Sequence, residues 1–366
     1  MNTFGKQALG RLMALMVVPT AAVRISAAQE YNFHGIGHLD NAGDYSEITA
    51  VSGDGEVVVG TSTSRTGYAA FVWTRDTGIQ RLALPGGGGH ESIALDVNQD
   101  GSVIVGQGTN ELESSEGFVW DRETGPRWLG VPSGSFSEAK AVSPDGSVVI
   151  GISWGVGVDV VRWTNGNTEI LGQPASFASV RPRAVSNNSV IVGLGFHENV
   201  QMQDFCWSEQ NGSESLFDNR FGETTAYDVS ADGGVIVGSI ETQVGRRAVR
   251  WEQGVAELLD PDADAVAMAV SNDGQTIVGT LTDAGVPNAF VWDAYHGMRL
   301  VRDLPRAGDV NMGAHAMLYA TGVTDGGRTI VGFGLNSNGR TEGWVMQMPE
   351  RQTLLRMGPT AEMAAR

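Results

Sequence analysis

Five aspartates, each followed by glycine at a recurring place in the sequence, are the first candidates for chemistry. They are Asp54, Asp100, Asp145, Asp232 and Asp273. Carboxylates are preferred ligands of Ca²⁺, but none of these residues begins the Asp-x-Asp-x-Asp pattern of a calcium loop. Each lies between two short apolar runs, where Asp-Gly is typical of a hairpin turn. The pattern predicts structural turns, and we expect no metal and no cofactor.

A second acidic group consists of Glu111, Glu113 and Glu116, which follow one another closely between two apolar segments. Three carboxylates in one loop can hold a cation weakly, because oxygen ligands suit hard cations. A solvated loop explains the same residues without any ligand. We interpret the segment as a loop that is available for binding.

The histidines are spread over several segments. His34 and His38 are four residues apart and share a face in a strand, but two imidazoles without a third ligand are weak evidence for zinc. His90, His197 and His315 lie in three separate predicted loops. They converge only if the fold brings those loops together.

Two residues resemble nucleophiles without the context that a nucleophile needs. Ser153 lies in Gly151-Ile152-Ser153-Trp154-Gly155, which matches Gly-x-Ser-x-Gly, but no helix is predicted to follow. Cys206, the only cysteine, lies between two aromatic residues and is predicted to be a buried, inert thiol. We therefore predict no catalytic residues.

The charge balance excludes some classes of partner. Lys and Arg total 24 and Asp and Glu total 42, so the 366-residue chain carries a net charge of −18. Nucleic acids and anionic membranes repel such a surface at long range. Glycine contributes 50 residues, about twice ordinary usage. This composition predicts an ordered, glycine-rich all-β protein, and we expect a monomer.

Residues 1–28 are predicted to be a secretory signal. Lys6 and Arg11 precede an apolar stretch that is too short to span a bilayer, and small residues precede Gln29. An uncleaved N-terminal anchor is the alternative. We predict export to the periplasm, the cell surface or the medium, with no membrane span after cleavage.

One phrase recurs seven times and explains the glycines. It begins with a small residue and Val, followed by Ser or Asn. Most copies then contain Asp-Gly. It ends with two aliphatic residues and a closing glycine. The closing glycines are 41 to 53 residues apart, at Gly60, Gly106, Gly151, Gly193, Gly238, Gly279 and Gly332. The fourth copy has Asn187-Asn188 in place of Asp-Gly, so its hairpin departs from the pattern.

A tryptophan-containing strand follows each copy of the phrase, and a leucine-containing strand follows it in the first six units. The tryptophans are Trp73, Trp120, Trp163, Trp207, Trp251, Trp292 and Trp344. Four short strands in about 45 residues is the size of a propeller blade. The repeats therefore predict a seven-bladed β-propeller of four-stranded antiparallel blades over residues 29–349.

The two ends of the repeat array predict how the ring closes. The seventh unit ends after the Trp344 strand and lacks a fourth strand, whereas residues 33–39 resemble a fourth strand that precedes the first unit. We expect the N-terminal strand to complete the last blade, which protects its edge. Residues 350–366 are predicted to be a flexible tail.

The three phrases resemble the HAF repeat of bacterial "probable extracellular repeat" proteins. The resemblance rests on Ala-Val-Ser-x-Asp-Gly-x-x-Val-Val-Gly, Ala-Phe-Val-Trp and Leu-x-x-Leu-Pro-Gly-Gly, and it covers nearly the whole mature chain. It implies export and a β-repeat fold, with no defined catalysis.

Fold-level analogy places a binding site on the face formed by the loops after the second and fourth strands of each blade. The candidate binding residues in those loops are Arg65, His90, Glu111, Glu113, Glu116, His197, Arg246, Arg247 and His315.

These observations favour a non-catalytic exported propeller that binds a protein or glycan. The alternative is a lyase or hydrolase acting on polysaccharide, with its site at the axial mouth, and this requires acid and base groups from different blades. A third possibility is one piece of a larger surface assembly.

Overall fold

A computed structural model describes residues 31–348 except 42, 88–90, 156, 173–178, 197–201, 215, 217–221 and 305–314. The described residues form seven four-stranded antiparallel sheets. The predicted signal segment 1–28 and the predicted tail 350–366 lie outside the described residues.

Six of the seven blades use four consecutive strands. The first three of them comprise β2 (Ser46–Val51), β3 (Val58–Ser64), β4 (Gly67–Thr74), β5 (Gly78–Arg81), β6 (Ser92–Val97), β7 (Val103–Thr109), β8 (Ser115–Asp121), β9 (Gly125–Trp128), β10 (Phe136–Val142), β11 (Val148–Trp154), β12 (Val158–Thr164) and β13 (Asn167–Gly172).

The next three blades repeat the same order. They comprise β14 (Ser179–Val185), β15 (Ile191–Phe196), β16 (Met202–Ser208), β17 (Gly212–Glu214), β18 (Thr224–Val229), β19 (Val235–Thr242), β20 (Gly245–Glu252), β21 (Val255–Leu258), β22 (Ala265–Val270), β23 (Thr276–Asp283), β24 (Val286–Asp293) and β25 (Gly297–Leu300).

The seventh blade joins the two ends of the chain. It comprises β26 (Ala316–Val323), β27 (Thr329–Leu335), β28 (Thr341–Gln347) and the N-terminal strand β1 (Asn32–Gly35). β1 pairs with β28 so that Gly35 lies opposite Trp344. The predicted closure by the N-terminal strand is confirmed.

The innermost strands β2, β6, β10, β14, β18, β22 and β26 each contact the innermost strand of the next blade, and β26 contacts β2. The blades therefore form a complete ring around an axis. The predicted all-β, seven-bladed fold is confirmed.

The Asp-Gly turns have a shared hydrogen-bond pattern. In the first blade the Ser52 hydroxyl donates to Asp54 Oδ1 at 2.6 Å, and the Glu56 amide donates to the same carboxylate oxygen at 3.0 Å. Gly55 adopts a φ of 80°, which glycine tolerates without a Cβ clash. The carboxylates thus complete the turns, as the sequence predicts.

The fourth blade forms the equivalent turn with one residue fewer. The Ser186 hydroxyl donates to Asn188 at 2.5 Å and accepts from the Val190 amide at 3.0 Å. Ser189 takes the positive φ, at 61°, that glycine provides in the other blades. The serine therefore preserves the turn where Asp-Gly is absent.

Apolar side chains fill the seams between neighbouring blades. Phe118 of the second blade is fully buried in a cluster with Val59, Ala70 and Leu84 of the first. Burying one such aromatic side chain contributes about 2–3 kcal/mol. Each blade thus has a packed flank that another blade must cover.

Candidate ligand site in the central channel

The closing glycines allow a close approach between the first two strands of each blade. A Cβ on Gly60 would lie 2.0 Å from the carbonyl oxygen of Glu47 on the innermost strand. The other six closing glycines are similarly close to the carbonyl oxygen at the equivalent position of their own blade. Any larger residue would force these strands apart.

Every innermost strand contains a β-bulge two residues after the residue whose carbonyl oxygen makes this contact. In β2 the register shifts between Ile48 and Ala50, so Thr49 has no partner on β3. The other six strands shift at the equivalent position. A bulge re-aims a side chain, and bulges are common beside active sites.

The seven bulged residues all line a cavity on the propeller axis, with a volume of about 190 Å³. We call them the bulge ring: Thr49, Leu95, Lys140, Arg183, Tyr227, Met268 and Thr321. The scaffold that holds them repeats from blade to blade, whereas the side chains themselves differ in size, charge and aromatic character.

Two aspartates follow the bulge in the second and fifth blades. Asp96 accepts hydrogen bonds from the amides of Val97 at 2.8 Å and Val142 at 2.9 Å. Asp228 accepts from the amides of Val229 and Val270, both at 2.8 Å. Each carboxylate therefore connects one innermost strand to the next.

Enclosure within the channel changes the titration of both acids. It raises the pKa of Asp96 to about 7, with a smaller contribution from the charge of Asp228, although the two amide bonds act in the opposite direction. It raises the pKa of Asp228 to about 6. Desolvation of the charged form therefore outweighs hydrogen bonding at both carboxyls.

Short polar side chains connect the innermost strands of three neighbouring blades. The Thr321 hydroxyl donates to the carbonyl oxygen of Ile48 at 2.8 Å, and the Thr49 hydroxyl donates to that of Ala94 at 2.8 Å. These two bonds extend the wall that Asp96 continues toward the third blade. This part of the wall uses its polar groups within the protein.

Longer side chains occupy the bulge ring in the third, fourth and fifth blades. Lys140 Nζ lies 2.5 Å from Glu138 Oε1. The Arg183 guanidinium lies over the Tyr227 ring, 4.3 Å from its centroid. Enclosure, with a smaller contribution from the nearby charge of Arg181, lowers the pKa of Arg183. This part of the wall presents cations and a phenol to the channel.

Four of the sequence-predicted binding residues are exposed in loops. Arg65 lies in the connection between β3 and β4, and Arg246 lies near the start of β20. Glu111 and Glu113 lie in the turn between β7 and β8, where Glu113 has a φ of 59°. These residues belong to three different blades, so they do not form one cluster.

Two other predicted binding residues brace the scaffold. The Glu116 carboxylate accepts from the Asn110 side-chain amide and from the Gly130 backbone amide, both at 2.8 Å. The buried Arg247 guanidinium donates to the carbonyl oxygen of Pro261 at 2.7 Å. Each side chain thus fastens the connection that leads to the next blade.

His315 is the only predicted loop histidine among the described residues; His90 and His197 lie outside them. Its ring contacts Phe33 edge-on, and its Nε2 lies 3.5 Å from Glu342 Oε2. Burial raises the pKa of Glu342, but bonds from Asn336 and Gly37 and the nearby histidines outweigh it and lower the pKa overall. His315 therefore lies beside the closing strand.

The metal interpretation of the sequence receives no support from the described geometry. Within the described ranges, no three His, Cys, Asp or Glu side chains are grouped so that they could hold a metal ion. His38, one of the two strand histidines, lies 3.0 Å from the carbonyl oxygen of Thr341.

Sequence reasoning missed the channel residues. A signal was present for two of them, because Asp96 and Asp228 replace the alanine or glycine that precedes valine in the other five repeats. The bulge ring gave a weaker signal. It occupies one position whose residue type differs strongly between repeats, within a phrase that is otherwise nearly constant.

Comparisons with known proteins agree on the architecture. No protein-family model matches the sequence, and no curated protein sequence matches it either. Among solved structures, the chain resembles the β-propeller domain of the Trilobed protease from Pyrococcus furiosus, with a TM-score of 0.57 and 14% identity, over 92% of this chain and 100% of that one.

Two further solved structures are similar. Oligogalacturonate lyase from Vibrio parahaemolyticus has a TM-score of 0.56 and 13% identity, over 88% of this chain and 98% of that one. Acylaminoacyl peptidase from Pyrococcus horikoshii has a TM-score of 0.55 and 12% identity, over 83% of this chain and 51% of that one. At these identities the likeness shows the β-propeller fold alone. No helix among the residues described here is long and apolar enough to cross a membrane.

Proposed function

We propose that this chain is an exported, non-catalytic β-propeller that binds a ligand where its axial channel opens. The observation that carries the proposal is the bulge ring. Seven equivalent positions face one cavity of about 190 Å³ and hold six different residue types, while the surrounding strands repeat. Varied side chains around a cavity, on a scaffold that otherwise repeats, are the pattern expected of a ligand site.

Export follows from the predicted signal at residues 1–28 and from the resemblance to HAF repeats. The site of action is then the periplasm, the cell surface or the medium, and the partners available there are proteins and glycans. The net charge of −18 makes nucleic acids and anionic membranes unfavourable partners.

The hydrogen bonds around the acidic and hydroxyl groups support binding over catalysis. Both carboxyl oxygens of Asp96 are engaged by backbone amides, and so are those of Asp228. Ser153, the nucleophile-like residue, is buried and donates to the carbonyl oxygen of Ser133 at 2.5 Å. These groups hold the scaffold and are poorly placed to attack a substrate.

One observation favours the second candidate, a lyase or hydrolase acting on polysaccharide. Asp96 and Asp228 line the same cavity, and their pKa values of about 7 and about 6 suit general acid–base work near neutrality. If the chain is such an enzyme, Asp96→Asn abolishes turnover of a polysaccharide by the purified protein. The binding proposal predicts no turnover to abolish.

The binding proposal is tested with the purified full chain on a glycan array and against cell-surface protein fractions. Two variants accompany it: Tyr227→Ala in the channel, and Glu56→Gln, which changes an exposed hairpin side chain that does not line the cavity. We expect binding to at least one target, a loss of more than tenfold in Tyr227→Ala, and a change of less than twofold in Glu56→Gln. Equal binding by both variants, or no binding at all, contradicts the proposal.

A further inference from the structure

Two arginines lie two residues apart on the innermost strand of the fourth blade. Arg183 belongs to the bulge ring, and Arg181 lies nearer to the start of β14 and faces the Phe196 ring at 5.8 Å. The two charges are close enough that Arg181 lowers the pKa of Arg183. The strand therefore brings like charges together at the channel.

Neither arginine is neutralised by a carboxylate within the described part of the chain. The Arg183 guanidinium lies over the ring of Tyr227, and the Arg181 guanidinium lies over the ring of Phe196. Partly buried arginines elsewhere in the molecule form ion pairs: Arg162 with Glu169 at 2.6 Å, Arg250 with Glu257 at 3.0 Å and Arg299 with Asp293 at 2.6 Å. The buried Arg247 also has no carboxylate partner among the described residues and bonds to backbone carbonyls, but Arg183 is the arginine that lines the cavity.

Both side chains are exposed and only Arg183 lines the cavity, and like charges this close together repel each other unless an anion lies nearby. Carboxylates are abundant in this chain, since Asp and Glu outnumber Lys and Arg by 42 to 24. One substitution in the channel wall would suffice to pair Arg183. Its unpaired state is therefore explained if the counter-charge arrives with a ligand.

We propose that Arg181 and Arg183 bind the carboxylate of a small acidic ligand that enters the channel. This inference rests on the proposed binding function and names the chemical class of the ligand. A guanidinium presents paired N–H donors that match the two oxygens of a carboxylate. The Tyr227 phenol lines the same cavity and is available to hydroxyl or amide groups of the ligand.

The size of the cavity limits what accompanies the carboxylate. A volume of about 190 Å³ lies below the ~300–1,000 Å³ of typical small-molecule pockets. It admits one acidic sugar unit or the carboxyl end of a peptide, but not a folded domain. Lys140 adds positive charge at the next blade, although Glu138 shares it.

Isothermal titration calorimetry at low salt tests the proposal with two matched pairs of probes. Galacturonate is compared with galactose, which has the same ring without the carboxylate. Tri-alanine is compared with its C-terminal amide. We expect binding of galacturonate or tri-alanine, with an affinity at least tenfold higher than that of its uncharged counterpart. Which acid binds identifies the source of the carboxylate.

Variants separate the channel arginines from general charge. We expect Arg183→Gln to weaken binding of the acidic probe at least tenfold and Arg181→Gln to weaken it severalfold. Arg127→Gln removes an exposed arginine of β9, the outermost strand of the second blade, and should change the affinity less than twofold. The melting temperature of unliganded Arg183→Gln should equal or exceed that of the wild type, because an uncompensated cation is lost.

Three results overturn the carboxylate proposal: no heat from either acid, equal affinity for the acidic and uncharged members of a pair, or unchanged acid binding by Arg183→Gln. Galactose binding that disappears in Tyr227→Ala would retain the channel as a ligand site while rejecting its preference for carboxylates. Failure of the array and fractionation experiment would instead reject the wider binding function.

Discussion

The seams between blades and the wall of the channel lie on either side of the same innermost strands, yet they follow different rules. In the seams, the third-strand residue opposite each closing glycine is no more than 1% exposed in all seven blades, and it is always Phe, Val or Trp. In the wall, the bulge ring holds six residue types. Packing fixes the seams, whereas the wall is free to vary.

The contrast shows how a repeated fold acquires an individual site. A seam residue must fit a neighbour that is itself a copy, so a change in one blade requires a change in the next. A bulge residue lines the axial cavity instead of packing against the next blade's copy of itself. Equivalent positions of different blades can therefore hold residues as unlike as Thr49 and Arg183, while the blades keep the same structure.

The largest expected difference between seam and wall comes from truncating one apolar side chain in each. Phe118→Ala leaves a cavity between the first two blades and should lower the free energy of unfolding by about 4 kcal/mol. Leu95→Ala, in the neighbouring wall, removes a half-buried side chain and should cost about 1 kcal/mol or less. Urea denaturation of both variants measures the difference. Equal losses would mean that the channel wall is packed like a seam.

The second prediction concerns how the free energy of unfolding depends on pH. A loss of stability as the pH rises should be specific to the channel wall. Asp96 has a pKa of about 7 in the folded protein, above its unfolded value, so the native state binds the additional proton. Its contribution to stability is therefore present at pH 4 and is lost as the pH rises through 7. Asp96→Ala, which matches the native residue of the first, third, fourth and sixth blades, should gain on the order of 2 kcal/mol relative to the wild type between pH 4 and 8.

Asp100→Ala is the control with the opposite sign. Bonds from Ser102 lower the pKa of Asp100 in its exposed turn, although partial burial acts against them. Its contribution is present at neutral pH and is lost as the pH falls through the lowered pKa. Parallel stability curves for wild type and Asp96→Ala, from urea denaturation at several pH values, would contradict the assignment of a raised pKa to the wall.

Much of the seam could be predicted from the sequence, because its signals are periodic. The Asp-Gly pairs, the closing glycines and the tryptophan strands recur with one phase, and each reports a local requirement that repeats seven times. The missing fourth strand of the last unit likewise predicted that the N-terminal strand pairs with the Trp344 strand, and Gly35 lies opposite Trp344. A local signal that is weak in one repeat predicts the architecture reliably when it recurs at the same place in every repeat.

The wall could not be predicted, because the bulge breaks the alternation on which strand reasoning depends. Simple alternation in β2 gives Ile48 and Ala50 the same environment, but Ile48 is buried whereas both Thr49 and Ala50 are partly exposed. The loop candidates failed for another reason. Glu116 contacts Gly130, which lies 14 residues later, and no local pattern predicts that contact.

The third prediction compares Thr49 of the wall with a threonine elsewhere on an innermost strand. Thr49→Val removes the hydrogen bond to Ala94 of the next blade and should lower the free energy of unfolding by about 1 kcal/mol. Thr225→Val, on the fifth innermost strand, is the matched control because its hydroxyl has no described partner, and it should cost about 0.3 kcal/mol or less. Chemical denaturation measures both variants. A larger loss from Thr225→Val would remove the reason for treating inter-blade bonds as stabilising.

The smallest expected effect lies at the ion pair between Lys140 and Glu138. Their side chains are 27% and 16% exposed, so water screens part of the attraction. Lys140→Gln should cost about 0.5 kcal/mol at low salt, and this cost should fall further in 1 M NaCl because added ions screen the same charges. The cost of Thr49→Val should not change with salt, since neither partner of its hydrogen bond is charged. A Lys140→Gln cost that survives 1 M NaCl would show that Lys140 stabilises the wall by packing its aliphatic stem, as a seam residue does.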